Sequence, residues 1–375
     1  MRAPRLVLAT TLFILSVISA LLLSSSAVRG TIPSLLSRLS TRFCSSATPA
    51  SASQATLTSD MTDVKALQEK WRKNLDELPS TPEKIPVFFF GHGSPILETN
   101  SNNRGPGFDA VLAWGGPKGP LATFLKDFGP ALLKKYQPKG IVVFSAHWET
   151  QTERLVTDYG DDNPLLMDYY GFDPEFYQLK FKSKGDSTLA KRVVELYKEA
   201  GQRARLTPKT ENRGSDGRGF AGPGLDHGVF IPFRKMFGEE FTDIPIVQVS
   251  IDSSLSPEKN WALGKAVTKL REENILVLSG GLIIHNLRDF QSFAPQSAKP
   301  LHKEFDKAII DAVSVADATE RKKAMVNLTK HPGFRAAHPR EDHFVPLYVA
   351  AGAGEEGDSK VIADIYGSET VAFGL

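Results

Sequence analysis

The stretch that most restricts how this chain can fold is Ile85 to Pro95, IPVFFFGHGSP, where an apolar run stops at a histidine set between two glycines. Residues Ile85 to Phe90, interrupted only by Pro86 near the start, read as a strand buried on both faces, the kind found inside a parallel α/β sheet. Gly91 and Gly93 allow a sharp turn, and Ser94-Pro95 reads as the N-cap and first residue of a helix. His92 is therefore expected at the carboxyl end of a strand, the place where open α/β sheets bind ligands.

The same pattern returns twice. Gly140 to Ala146 (GIVVFSA) is a second apolar strand and runs into His147, while Ile275 to Ser279 leads through Gly280-Gly281-Leu282-Ile283-Ile284 to His285. Ile244 to Ile251 is a further strand, and Val361 to Tyr366 and Thr370 to Phe373 are expected to add closing ones. Helical periodicity lies between them, at Val64–Leu78, Leu121–Tyr136, Ser187–Ala200, Pro257–Glu273, Leu301–Val313 and Ala316–Leu328. Glu98 to Gly107, Tyr159 to Tyr177 and the Gly-rich Thr207 to Gly228 read as loops, the second suited to closing over a pocket, and Phe230 to Phe237 as helical or irregular. Strands alternating with helices and no intervening linker imply one α/β domain over residues 60–375, with a central, largely buried sheet flanked by helices.

Residues 1–59 are of another kind. They hold Arg2, Arg5, Arg29, Arg38 and Arg42 and no acid, so the overall charge of +2 conceals a net acidic remainder and points to no nucleic-acid partner. Arg2 and Arg5 precede an apolar run from Leu6 to Leu23, ~18 residues, which is signal-peptide-like though long enough to anchor in a bilayer. The Arg- and Ser-rich tract after it has transit-peptide chemistry. The expectation is a cleavable leader for an organelle (mitochondrion or plastid) or the secretory pathway, with membrane contact only if the leader is retained. Cys44, the single cysteine, lies in this leader, so a metal site in the folded part must be built from His, Asp and Glu.

Of the eight histidines, His92, His147 and His285 share one topological place, and His227 sits in the Gly-rich loop. Repetition at strand ends favours convergence on one divalent metal. Imidazole suits Fe, Zn, Cu or Ni, and histidines with open positions form the facial arrangement of non-haem Fe(II) oxygenases. His343 stands just before an apolar, helix-like run, and His302, His331 and His338 read as surface residues. Asp226-His227 and Asp342-His343 are weak signals, because neighbours in extended chain point to opposite sides. Gly217 to Gly222 matches G-x-G-x-x-G without the preceding strand a dinucleotide site needs. Ser94 lacks the G-x-S-x-G elbow of a hydrolase nucleophile.

Six collinear motifs carry a family resemblance: GHGSP at 91–95, SAHW at 145–148, LDHG at 225–228, VQVSID at 247–252, SGGLIIHNLR at 279–288 and HPREDHFVPL at 338–347. Over residues 84–375 the chain resembles the DOPA 4,5-dioxygenase branch of the class III extradiol ring-cleavage dioxygenases. The resemblance implies that His92, His147 and His285 bind the metal, that His343 is a further ligand, and that His227 is the pocket histidine that handles protons. It implies one non-haem divalent ion, Fe(II) for dioxygenase chemistry or Zn(II) as the bound species. The reactants it implies are a small aromatic diol such as DOPA and O2, with Trp148, Tyr169 and Tyr170 as candidate pocket walls. Two other readings stay open from residues alone: a zinc hydrolase on the same histidines, and a non-enzymatic binding protein on this fold.

Overall fold

In the computed structural model, residues 51–98, 108–213 and 222–375 are described, with side chains from residue 64 onward. The leader to residue 50, Cys44 with it, and most of the Gly217 to Gly222 stretch lie outside the described residues. Among the described residues ten strands follow one another: β1 (Val87–Gly91), β2 (Gly140–Thr150), β3 (Arg154–Asp158), β4 (Lys182–Ser183), β5 (Ala204–Pro208), β6 (Glu240–Phe241), β7 (Ile246–Asp252), β8 (Ile275–Gly281), β9 (Ser359–Ala363) and β10 (Thr370–Phe373). Eight of them form one sheet in the order β5-β3-β7-β2-β8-β1-β10-β9. At its centre β7, β2, β8 and β1 run parallel; β10 and β9 extend one side in antiparallel fashion, and β3 meets β7 antiparallel on the other.

The alternation of side chains along β1 explains why the run of apolar residues is unbroken. Val87 and Phe89 enter the core on one face, with Val345, Val349 and Trp261, whereas Phe88 and Phe90 enter the core on the other, with Phe124, Phe128 and Phe233. Helices cover both faces: Ser187–Glu199, Pro257–Ala266, Pro300–Val313 and Pro346–Ala353 on the first, Pro120–Tyr136 and His227–Phe237 on the second. Each phenylalanine buried this way stabilises the fold by about 1.5–3 kcal/mol. The expected single α/β domain with a central buried sheet is what forms. No helix among the described residues is long and apolar enough to cross a membrane.

Several local expectations need correction. The short strands β3 and β5 and the helix Phe108–Gly115 carry no clear period and were not foreseen. The helix expected from Val64 begins upstream, at Ser51. Thr207 and Pro208 end β5, and His227 and Gly228 open a helix, so the expected loop is shortened at both ends. Ser94 does occupy the N-cap position, but of a single 3₁₀ turn, Pro95–Leu97, and its hydroxyl caps nothing.

One irregularity positions the site. Between Phe144, paired with Val249, and Glu149, paired with Ile251, β2 advances five residues while β7 advances two. On the β7 side the four residues Ser145 to Trp148 face Ser250 alone, so β2 bulges there and re-aims His147.

Candidate metal centre

The register of the parallel strands brings the histidine-bearing ends together. Gly91 pairs with Gly281 and Ser145 with Gly280, so β1, β2 and β8 finish at one edge of the sheet. His92 donates its backbone N–H to Gly281 O (3.0 Å), His285 to Ala337 O (3.0 Å) and His147 to Ser145 Oγ (3.1 Å). The backbone carbonyl of His343 accepts from Leu282 N–H (2.9 Å) and lies 2.4 Å from where a Cβ on Gly281 would stand, so only glycine lets the 338–343 turn approach β8. Arg340 clamps that turn to the end of β2 through Glu149, at 2.5 and 2.7 Å.

His92, His147 and His343 converge, with ring centres 5.0, 5.2 and 4.8 Å apart and one nitrogen of each within 4.8 Å of the others. Nε2 of His147 and Nε2 of His343 are 3.2 Å apart. Two nitrogens bound to one ion at about 2.0–2.1 Å, at tetrahedral to octahedral angles, stand about 2.9–3.4 Å apart, so this pair already has the spacing of ligands. His92 is 1% exposed and neither ring nitrogen has a hydrogen-bond partner among the described residues, an orphaned state that costs free energy unless something binds there. The donor set fits a divalent ion.

His285 is placed beside this group rather than within it. Its ring stacks on that of His343, with centres 3.4 Å apart and 12° between planes, and with Asp342 the two form a second group that shares His343. Burial, reinforced by the neighbouring imidazoles, pushes His92 and His285 well below the ordinary histidine value, so both are neutral and able to ligate.

Asp168 is the residue that sequence reasoning missed. It is buried midway along the Tyr/Asp/Pro-rich loop, and its Oδ1 accepts from both the backbone N–H and Nδ1 of His227, each at 2.8 Å. Its Oδ2 lies 3.3 Å from Nδ1 of His147. Burial would raise this carboxyl, but the facing imidazoles of His227 and His147 outweigh it and hold it well below the usual carboxylate range. An ionised Asp168 accepts only, so Nδ1 of His227 is the donor, and in the neutral tautomer Nε2 is the acceptor nitrogen. The same logic leaves Nε2 of His147 for a metal, the carboxylate–histidine–metal pattern. The signal that could have found Asp168 was weak: an acid beside two tyrosines in a loop expected to cover a pocket.

Other expectations meet mixed outcomes. Tyr169 is buried against His227 (ring centres 5.5 Å) and Trp148 is buried, whereas Tyr170 is 81% exposed. Asp226 turns away from His227, as adjacent residues do in extended chain. Asp342 does not: residues 342–345 form a turn, which brings its Oδ2 to 3.2 Å from Nδ1 of His343. His338 and His302 are not surface residues; both are buried and face backbone carbonyls, Ile283 O at 2.6 Å and Ala336 O at 3.3 Å. His331 is half-buried and accepts from Gly333 N–H (3.0 Å).

Residues 88–373 match the model of a family described as the catalytic LigB subunit of aromatic ring-opening dioxygenase. The chain belongs to this LigB family. Its members use a non-haem divalent metal. Among the relatives of this LigB chain is a 4,5-DOPA dioxygenase extradiol-like protein of Schizosaccharomyces pombe, 39% identical over 305 residues, covering 81% of this chain and 97% of that one. The 4,5-DOPA dioxygenase extradiol of Beta vulgaris is 29% identical over 289 residues (77% and 94% covered), and that of Escherichia coli 28% over 288 (76% and 91%). A crystal structure of an uncharacterized protein from Escherichia coli K12 shares the fold, with a TM-score of 0.52 at 23% identity, over 78% of this chain and all of that one.

Proposed function

We propose that this LigB-family chain is a metal-dependent extradiol dioxygenase that opens the ring of a catechol such as DOPA with O2. The observation that carries the reading is the convergence of His92, His147 and His343 beside a His227–Asp168 pair whose geometry is that of a base and its orienting carboxylate. His92, His147 and His343 would hold the ion, with His285 and Asp342 at its margin. What a bound divalent ion supplies there is polarisation of the diol and, for Fe(II), activation of O2. The protein's own part is geometry and protons. Nε2 of His227 takes a diol proton and returns it to the opened product, while Asp168 keeps the imidazole in the tautomer that can do so. Trp148 and Tyr169 exclude water from that exchange. The relatives named as 4,5-DOPA dioxygenases make DOPA the first substrate to try. The Arg-rich leader addresses the chain to an organelle or the secretory pathway in this reading.

The test is oxygen uptake by anaerobically purified protein loaded with Fe(II) or Zn(II), on adding DOPA or a simpler catechol. Iron-dependent uptake with a new yellow chromophore is expected. The imidazole-rich donors also suit Zn(II), so activity on ester or amide substrates without O2 would favour hydrolysis instead, and no uptake across a catechol panel with either metal refutes the proposal. His227→Ala should keep its metal and lose about 10²–10⁴-fold in turnover. Loss of metal with activity would make His227 a ligand.

A further inference from the structure

Behind the imidazoles lies a buried ion pair that neither metal binding nor proton transfer uses. Arg213 and Asp226 are both essentially inaccessible, with Nη2 of Arg213 2.7 Å from Oδ2 of Asp226. Nη1 of Arg213 donates to Gly224 O (2.8 Å), its guanidinium carbon lies 4.4 Å from the ring centre of Trp148, and its backbone carbonyl accepts from Trp148 Nε1 (3.0 Å). Asp226 in turn accepts from Ser145 Oγ (2.7 Å) and from the side-chain amide of Gln248. Ser145 Oγ accepts the backbone N–H of His147, and the carbonyl of Asp226 accepts the N–H groups of Val229 and Phe230 that open the helix beginning at His227.

Asp226 thus joins two catalytic segments, adjacent to His227 in the chain and bonded to the residue that fixes His147. The two segments also touch: a Cβ on Gly228 would stand 2.6 Å from Ser145 Oγ and 2.8 Å from Cδ2 of His147, and the rings of His147 and His227 are 3.9 Å apart. With no slack between them, a displacement of Asp226 is passed on to His227. A buried ion pair adds little stability over apolar residues of the same shape, so what it contributes is a defined geometry.

We propose that Arg213 is a positioning residue: through Asp226 and Trp148 it sets the separation of His227 from His147, and with it the reach of Nε2 of His227 to a bound diol. This rests on the dioxygenase reading for its kinetic consequence, though not for its structural one. The planar guanidinium is needed because it stacks on Trp148 and bonds Gly224 and Asp226 in one plane, which an ammonium cannot do.

Arg213→Met and Arg213→Lys test this in the full chain. Arg213→Met is expected to keep its metal content and hold KM within about twofold, while kcat falls about 100-fold, the size of effect a misplacement of about 1 Å produces. Arg213→Lys should restore part of that loss. In metal-free protein labelled with ¹⁵N-histidine, the Nδ1 proton of His227 that bonds Asp168 should shift or exchange faster in Arg213→Met. Unchanged kcat in either folded, metal-loaded variant, or an unmoved His227 resonance, overturns the proposal. Should Arg213→Met not fold, Arg213→Lys alone decides by the same kcat and resonance criteria. Absence of oxygen uptake in the unaltered protein would sink the dioxygenase reading, and the resonance would still report whether Arg213 positions His227.

Discussion

Replacing Asp168 with asparagine preserves shape and removes one charge and two acceptor sites. In the native arrangement Oδ1 receives two hydrogen bonds from His227, both 2.8 Å, and Oδ2 faces Nδ1 of His147 at 3.3 Å. An asparagine can point its oxygen at His227, but its NH2 then faces Nδ1 of His147, which must become an acceptor and move its proton to Nε2, the nitrogen turned toward His343. The flipped amide spares His147 and sets two donors against the backbone N–H of His227. Either orientation loses a hydrogen bond to a charged group, worth about 1.5–3 kcal/mol. Removing the carboxylate behind a ligating histidine costs 10–100-fold in metal affinity or activity, about 1.4–2.7 kcal/mol, and the two estimates agree.

Asp168→Asn is therefore expected to bind Fe(II) or Zn(II) about 10–100-fold more weakly, measured by competition with a chromophoric chelator. At saturating metal its oxygen uptake should still fall by about 10²-fold, because the base tautomer of His227 is no longer enforced. A normal thermal midpoint would exclude misfolding as the cause. Metal affinity and turnover both within about twofold of the unaltered protein would refute the assignment of Asp168 as the orienting carboxylate, since that role requires at least a tenfold effect on one of them.

Two further outcomes follow from the packing and from burial. Gly228→Ala must push apart Ser145 and His147 and should lower stability by about 1–3 kcal/mol as overpacking does, with metal affinity falling in step; an unchanged thermal midpoint would contradict the close approach. His338, buried and pushed down to about 3, stays neutral in the fold while its unfolded counterpart gains a proton below about pH 6.5, so its stabilisation is intact above that pH and is lost as pH falls. Between pH 7 and 5 that loss is about 2 kcal/mol. His338→Gln keeps a donor for Ile283 O and cannot titrate, so its urea midpoint should change less over this interval than that of the unaltered protein; equal changes would mean that His338 titrates normally.

Much of the framework was legible because burial on both faces leaves a plain mark. Unbroken apolar runs announced β1, β2, β7 and β8, and the runs of β1, β2 and β8 ended at His92, at His147 and at the segment before His285. The marginal strands were not legible, since Arg154-Leu155-Val156-Thr157-Asp158 is too short and too polar at its ends to stand out from loop. His338 failed for a related reason. Its neighbours Pro339 and Arg340 are exposed and Glu341 is half-buried, while its own environment, the rings of Phe305, Phe334 and Phe344, comes from two helices and a turn remote in the chain or folded back on it.

The partners of the site histidines were illegible in a deeper sense. Where a strand ends depends on local hydrophobicity, but which acid meets which imidazole depends on how three unpatterned segments pack at one edge of the sheet. Chain adjacency made Asp226 only a weak candidate for His227, and in the fold Asp226 serves Arg213, Gln248 and Ser145 while Asp168, 59 residues away, serves His227. The bulge in β2 shows why the exchange was necessary. By breaking register with β7 between Phe144 and Glu149 it turns the ring of His147 toward His343, and the hydroxyl of Ser145 then needs an acceptor at the point where Asp226 stands. With Asp226 committed to holding the bulge, His227 requires a second carboxylate, and the buried acid of the covering loop supplies it.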